Sequence, residues 1–195
     1  PALVASADEE TAVWYYPPLT RDFVSLPNPV GAKGKWAKEA RNLAVARVGA
    51  DAKLVAVGSP AAGEVRLFLA PDGAAPAYVG CLGGTSKFGQ AFAAGPVVDD
   101  DGDSDALVIS DSSIVYVFDA TKLATLTPTT NTDCSLGSLP EGALVTSFTC
   151  GSTKNISGCD SSEFGVTLGV GDLDGDGDGE VVVGAPSMTV RHASR

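Results

Sequence analysis

The sequence predicts an all-β protein built from recurring groups of strands, and three observations carry that prediction. The apolar segments are short and rich in valine, and the chain's 23 glycines and 12 prolines break them at close intervals. Such runs fit strands joined by turns rather than helices. Helix patterns with caps and a 3.6-residue apolar period are scarce. Finally, similar punctuation recurs: Phe88-Gly89 and Phe164-Gly165 open strand groups, while Gly58-Ser59-Pro60 and Gly184-Ala185-Pro186 stand at equivalent stops.

Residues 1–35 begin with a polar, small-residue lead. Ala12, Val13, Trp14, Tyr15 and Tyr16 predict a strand, stopped by Pro17-Pro18. This strand is expected either at a sheet edge or as the completion of a strand group formed elsewhere. Prolines and glycines through Gly34 predict a loop. Trp14, Tyr15, Tyr16 and Trp36 are expected to pack in the core, with a stacking platform for a sugar or a partner as the alternative.

Residues 36–85 form a first repeat with predicted strands at 43–48, 54–57, 64–69 and 76–81. Its turn Gly49-Ala50-Asp51 has no cluster of carboxylates, so no metal is expected there, and Pro71-Asp72-Gly73 marks a later turn. Residues 86–162 form a second repeat, with strands at 106–110, 114–119 and 144–148 and a threonine-rich excursion carrying Cys134. Residues 163–195 form a third, with strands around 181–183 and 188–191 and no fourth strand.

The third repeat carries the strongest chemical signal. Asp172, Asp174, Asp176, Asp178 and Glu180 fall on every second residue, interleaved with Gly175, Gly177 and Gly179. Carboxylates at this density repel one another unless a cation sits between them, and glycine permits the positive-φ turns that fold them around one point. All-oxygen ligands suit a hard cation, and Ca2+ tolerates irregular geometry better than magnesium. Asp172, Asp174 and Asp176 occupy positions one, three and five of a calcium loop. Gly177 gives the bend at six, Asp178 offers its carbonyl at seven, and Glu180 closes at nine. An EF-hand would need a glutamate at position twelve and a helix; Val183 stands there, in the strand-like run Val181-Val182-Val183.

A weaker version lies in the second repeat. Aligned on its following strand, Asp99, Asp101 and Asp105 take positions three, five and nine and Gly102 takes six, but Val97 at position one cannot ligate. This is a degenerate site.

Phe164-Gly165, the acidic loop and Gly184-Ala185-Pro186 together resemble an FG-GAP repeat, the blade unit of the integrin alpha-chain β-propeller and of many bacterial surface proteins. The resemblance is dense in the third repeat and looser in the others. It implies propeller blades, with calcium held in the loop between the first two strands of a blade, and Phe88 and Phe164 packing between adjacent blades. Propellers hold four to eight blades, so three repeats imply an incomplete ring: a fragment, a ring completed by a second chain or homo-oligomer, or an unusual pairing of the N-terminal strand.

The formal charge of −11 argues against nucleic acid and anionic membrane surfaces, which select basic patches. No segment has the length of a membrane-spanning helix. Four cysteines without metal-type spacing suggest disulfides and an extracellular or cell-surface setting. A local Cys150–Cys159 bridge is the first choice, leaving Cys81 with Cys134; three connectivities are open, as are buried free thiols. Catalytic groups are sparse: His192 is the one histidine, and no nucleophile elbow is present. The expectation is therefore a secreted, calcium-stabilised recognition module of the adhesion type, binding protein or glycan and not an enzyme. The alternative is part of a calcium-dependent propeller enzyme, a polysaccharide lyase or hydrolase.

Overall fold

Successive side chains of a strand point to opposite faces, and here that alternation sets how the sheets stack. The structure, a computed structural model, describes residues 3–6, 13–16, 24–27, 40, 42–97, 104–128, 134–150, 156–157, 163–187 and 189–190. Strands β1 (Leu3–Ser6), β2 (Val13–Tyr16) and β3 (Val24–Ser25) form an antiparallel sheet in that order. The aromatic strand expected at 12–16 is thus the central strand of a small N-terminal sheet. It pairs with Leu3–Ser6 on one side and with Val24–Ser25 on the other. Neither an edge position nor completion of a distant blade describes it, because partners for both of its edges lie close in sequence.

The first repeat gives a four-stranded antiparallel meander of β4 (Asn42–Val48), β5 (Ala52–Ser59), β6 (Glu64–Pro71) and β7 (Ala77–Gly83). Its strands overlap all four predicted segments, the last beginning at Ala77 rather than Pro76. The second repeat gives β8 (Phe92–Gly95), β9 (Ala106–Asp111), β10 (Ile114–Asp119) and β11 (Leu144–Thr149), paired in chain order. Between β10 and β11 lies helix α1 (Ala120–Leu123), where Asp119 caps the free N–H groups of Thr121 and Lys122. A single 3-10 turn, Leu136–Ser138, follows it.

Further along come β12 (Ile156–Ser157), β13 (Thr167–Gly171), β14 (Glu180–Gly184) and β15 (Thr189–Val190). Strands β13 and β14 pair with each other, whereas β15 pairs with β12. The segment expected as the third strand of the last repeat is extended, as its β-branched residues favour. Its described partner is a strand in what read as the polar loop after Cys150.

The first strands of successive sheets are neighbours: β4 lies beside β8, and β8 beside β13. Between the first and second sheets, Leu54, Ala56, Val65 and Leu67 meet Phe88, Leu107, Ile109 and Phe118 in a buried cluster. The alternate residues of the second sheet, Ala106, Val108, Val115 and Val117, meet Phe164, Leu168, Val170, Val181 and Val183 of the third. On the far side of the first sheet, Val55, Val57 and Phe68 are covered by Leu26 and Ala40. The second strands β5 and β9 therefore bury both faces, which explains the unbroken apolar runs at 54–57 and 106–109 within them. The result is an all-β, propeller-like series of antiparallel sheets with almost no helix.

The Phe-Gly steps lock this series together. Gly89 at φ +79° and Gly165 at φ +78° adopt backbone that favours glycine. Each donates its N–H to the end of the second strand of its own sheet, to Ser110 O and Gly184 O, both at 2.9 Å. Each also lies against the preceding sheet. A Cβ on Gly89 would come within 2.8 Å of Val65 Cγ2, and one on Gly165 within 3.0 Å of Ser110 Cβ. Phe88 is fully buried and Phe164 half-buried at the two junctions, in the packing role expected of them. Cys81 on β7 and Cys134 in the excursion form a disulfide that ties the second repeat to the edge of the first. Cys150 is disulfide-bonded as well; its expected partner, Cys159, lies outside the described residues, as do Trp36 and His192.

Candidate metal centre

The pairing of Gly171 with Glu180 closes the β13–β14 hairpin and makes residues 172–179 its connection. Gly175 at φ +83° and Gly177 at φ +101° reverse the chain inside it. These are the positions where an L side chain would be strained. The reversal brings one carboxylate oxygen each of Asp172, Asp174 and Asp176 within 4.8 Å of one another, on exposed side chains.

The same carboxylates hold the loop in shape. Asp172 accepts from Gly175 N–H at 2.7 Å and from Gly177 N–H at 3.1 Å. Asp174 accepts from Asp176 N–H at 3.2 Å, and Asp176 from Asp178 N–H at 3.0 Å. Glu180 reaches back across the loop to accept from Leu173 N–H at 2.7 Å. Of the five predicted acids, three converge on one point, Asp178 continues the chain of local hydrogen bonds, and Glu180 ties the end of the loop to its start.

Three like charges this close cost on the order of 1 kcal/mol per pair even at the dielectric constant of water. Among the described residues, the ion pairs are Arg47–Asp105, Lys53–Asp72 and Arg66–Glu64, and none reaches Asp172, Asp174 or Asp176. A cation at their centre would turn that repulsion into attraction. The donor set is entirely oxygen and fits a hard divalent ion.

The second acidic loop is built differently. Asp99 and Asp101 lie outside the described residues. Asp105 is buried, and both of its oxygens serve Arg47 of the first sheet. Oδ2 accepts from the Arg47 backbone N–H at 2.7 Å, while Oδ1 accepts from Nε at 3.0 Å and from Nη2 at 2.8 Å. The Asp105 N–H in turn donates to Arg47 O at 3.1 Å.

Strand register also moves Asp105 out of the expected frame. Ala106 pairs with Gly95 as Glu180 pairs with Gly171, so Asp105 stands where Gly179 stands, one residue before the closing position. The connection 96–105 is two residues longer than 172–179, and the alignment on the following strand, which sets Ala106 against Val181, lies one residue away from this register. Cross-strand pairing, not the count of acids, fixes the register.

Sequence reasoning missed Arg47, although a lone base within an otherwise apolar strand was a visible signal. It also missed Gly179, whose N–H donates to Pro96 O at 2.6 Å and where a Cβ would come within 2.7 Å of that oxygen. Asp111 is a further buried acid outside the expected set; it accepts from the Thr85 N–H at 3.0 Å and from the Thr85 hydroxyl. No helix among the described residues is long and apolar enough to cross a membrane.

Compared with known proteins, the chain matches no curated protein and no solved structure. The family model of the FG-GAP repeat matches residues 164–189. That span contains the Phe-Gly step, the convergent aspartates and the Gly-Ala-Pro stop, and this part of the chain is thus similar to an FG-GAP repeat.

Proposed function

We propose that this chain is a calcium-stabilised extracellular recognition module of the integrin-like kind, in which the metal is structural and the loops between strands meet a protein or glycan. The observation that carries this reading is the convergence of Asp172, Asp174 and Asp176 in a hairpin loop whose sheet packs on its neighbour through β8 and β13. Asp172, Asp174 and Asp176 would hold the ion, with Asp178 and Glu180 completing the set. When bound, calcium supplies charge neutralisation and no reaction chemistry. An extracellular setting is supported by the typical occurrence of FG-GAP repeats and by the Cys81–Cys134 disulfide. Binding rather than catalysis is favoured by the sparse provision of histidine and of nucleophile motifs in the sequence.

Isothermal titration with calcium and with magnesium tests the metal. Saturable uptake of calcium in preference to magnesium is expected, and no uptake of either would end this reading. Surface plasmon resonance against immobilised polysaccharides and matrix proteins, run beside an assay for newly formed sugar ends, tests the role. Binding without cleavage is expected, and chain cleavage would place the protein among the enzymes.

A further inference from the structure

The two junctions between successive sheets are built on one plan and differ in their source of positive charge. At each, the residue before the second strand donates its N–H to a carbonyl of the preceding sheet or the connection leaving it: Asp105 to Arg47 O, and Gly179 to Pro96 O. At the first junction the accepting residue is an arginine, whose guanidinium and N–H groups also take up both oxygens of the buried Asp105. At the second, the accepting residue is proline, with neither a cation nor an N–H, and the donor is glycine. The carboxylates of that loop lie exposed, with no lysine or arginine paired to Asp172, Asp174 or Asp176 among the described residues.

Packing differs in the same direction. Phe88 is fully buried at the first junction, and Cys81–Cys134 spans it covalently. At the second junction the fully buried residues, Ala106, Val108, Val115 and Val117, come from the second sheet, and the third sheet's own contributions, Phe164, Leu168, Val170, Val181 and Val183, are only half-buried.

We infer that Arg47 is the built-in counter-ion of the first junction and holds it closed without metal, so that metal loss loosens the β13–β14 sheet alone. This rests on the calcium reading of the loop at 172–179. Two guanidinium N–H groups on Oδ1 and the Arg47 backbone N–H on Oδ2 satisfy both oxygens of this buried carboxylate from within the chain, with no ion required. An exposed aspartate cluster is satisfied only while an ion is present, which makes the second junction responsive to calcium concentration and leaves the first indifferent to it. Local opening of this kind follows the least-buried unit of a fold.

Hydrogen–deuterium exchange of the full chain, read by mass spectrometry in calcium and in chelator, tests the assignment. Peptides covering β13 and β14 should exchange faster in chelator, by about 100-fold for a site that calcium had filled at a hundredfold excess over its dissociation constant. Peptides covering β4 to β10 should not change. Arg47→Gln should speed exchange in β4 and β9 to the same extent in calcium and in chelator, leaving the calcium response of β14 intact. Should that variant fail to fold, Arg47→Lys keeps a charge without the paired donors and is expected to show a smaller change of the same kind.

Chelation that loosens β4 and β9 as much as β14 would overturn the inference, as would rescue of Arg47→Gln by calcium. If chelation changes nothing anywhere while Arg47→Gln still loosens β4 and β9, the calcium reading falls and the role of Arg47 stands.

Discussion

Replacing Asp172 by asparagine should have opposite consequences with and without calcium, and the structure sets the sizes. Asp172 is one of three carboxylates whose oxygens lie within 4.8 Å of one another, so it takes part in two repulsive pairs. At about 1 kcal/mol each in water, removing its charge relieves up to about 2 kcal/mol when no ion is present. The amide oxygen can still accept one of the two N–H groups that the carboxylate serves, from Gly175 or from Gly177. Losing the other costs about 1 kcal/mol. The net change in chelator is within about 1 kcal/mol of zero and leans toward stabilisation.

In calcium at a hundredfold excess over its dissociation constant, the wild-type chain gains about 2.7 kcal/mol that the variant loses. Set against the relief of up to about 1 kcal/mol, the net loss is about 1.7–2.7 kcal/mol. For a domain of this size about 1 kcal/mol moves Tm by roughly 2–4 °C, so a fall of roughly 3–11 °C is expected in calcium. Thermal unfolding followed by circular dichroism, with both proteins in both buffers, provides the four curves required. A variant destabilised equally in calcium and in chelator would show that Asp172 acts only through its local hydrogen bonds, and the metal would have no part in the loop.

Phe88→Ala should cost about 3–5 kcal/mol by denaturant unfolding, the range for emptying a fully buried aromatic site; Phe164→Ala, at a half-buried position, should cost visibly less. Gly89→Ala and Gly49→Ala place the same methyl at φ +79° and φ +61°, but Gly49 faces open space whereas Gly89 faces Val65. Backbone strain of about 1–3 kcal/mol is common to both, and the excess measured at Gly89 reads the contact between sheets. Serine at both Cys81 and Cys134 should cost about 4 kcal/mol, from the chain entropy of a crosslink spanning a sequence separation of 53. Burial, and then the negative charge of Asp111, hold the Tyr116 hydroxyl above the ordinary tyrosine value. The stability this protonated phenol contributes is complete below the unfolded value of about 10 and is lost as pH rises through the folded one; tyrosinate absorbance in a titration, compared with Tyr116→Phe, checks it.

Much of the fold was legible because its sheets obey a local rule. The runs at 54–57 and 106–109 are apolar at every residue, the pattern of strands buried on both faces, and their stops at Ser59-Pro60 and Asp111-Ser112 come from turn chemistry. The aspartate loop was legible for the same reason, since Gly175, Gly177 and the alternating acids make a complete unit within a few residues. Strand β8 escaped notice because Phe-Ala-Ala-Gly carries no β-branched residue, and its extended form comes from pairing with β9. Helix α1 is too short to show a period, and only the capping Asp119 announces it. Asp105 was visible as an acid but not as the partner of Arg47. That pairing bridges two repeats and depends on a register that no local pattern encodes.

The unequal sheets explain why one ion should matter in a single place. A fully buried aliphatic or aromatic side chain contributes about 1.5–3 kcal/mol, and the first junction holds many of these, among them Leu54, Leu67, Phe88, Leu107, Ile109 and Phe118. An added 2.7 kcal/mol or so would be a small fraction of that total. At the second junction the fully buried residues Ala106, Val108, Val115 and Val117 all belong to the second sheet. The described part of the third sheet brings five half-buried residues, each contributing roughly half as much, and one of its neighbours across the loop is a proline that cannot donate. There an ion contributing about 2.7 kcal/mol would equal about two to three of those packing residues in weight. On the proposed reading, charge pairing within the protein would suffice at the first junction, whereas the described β13–β14 hairpin would gain most from a ligand drawn from solution. Calcium outside the chain would then set how firmly its last described hairpin is held.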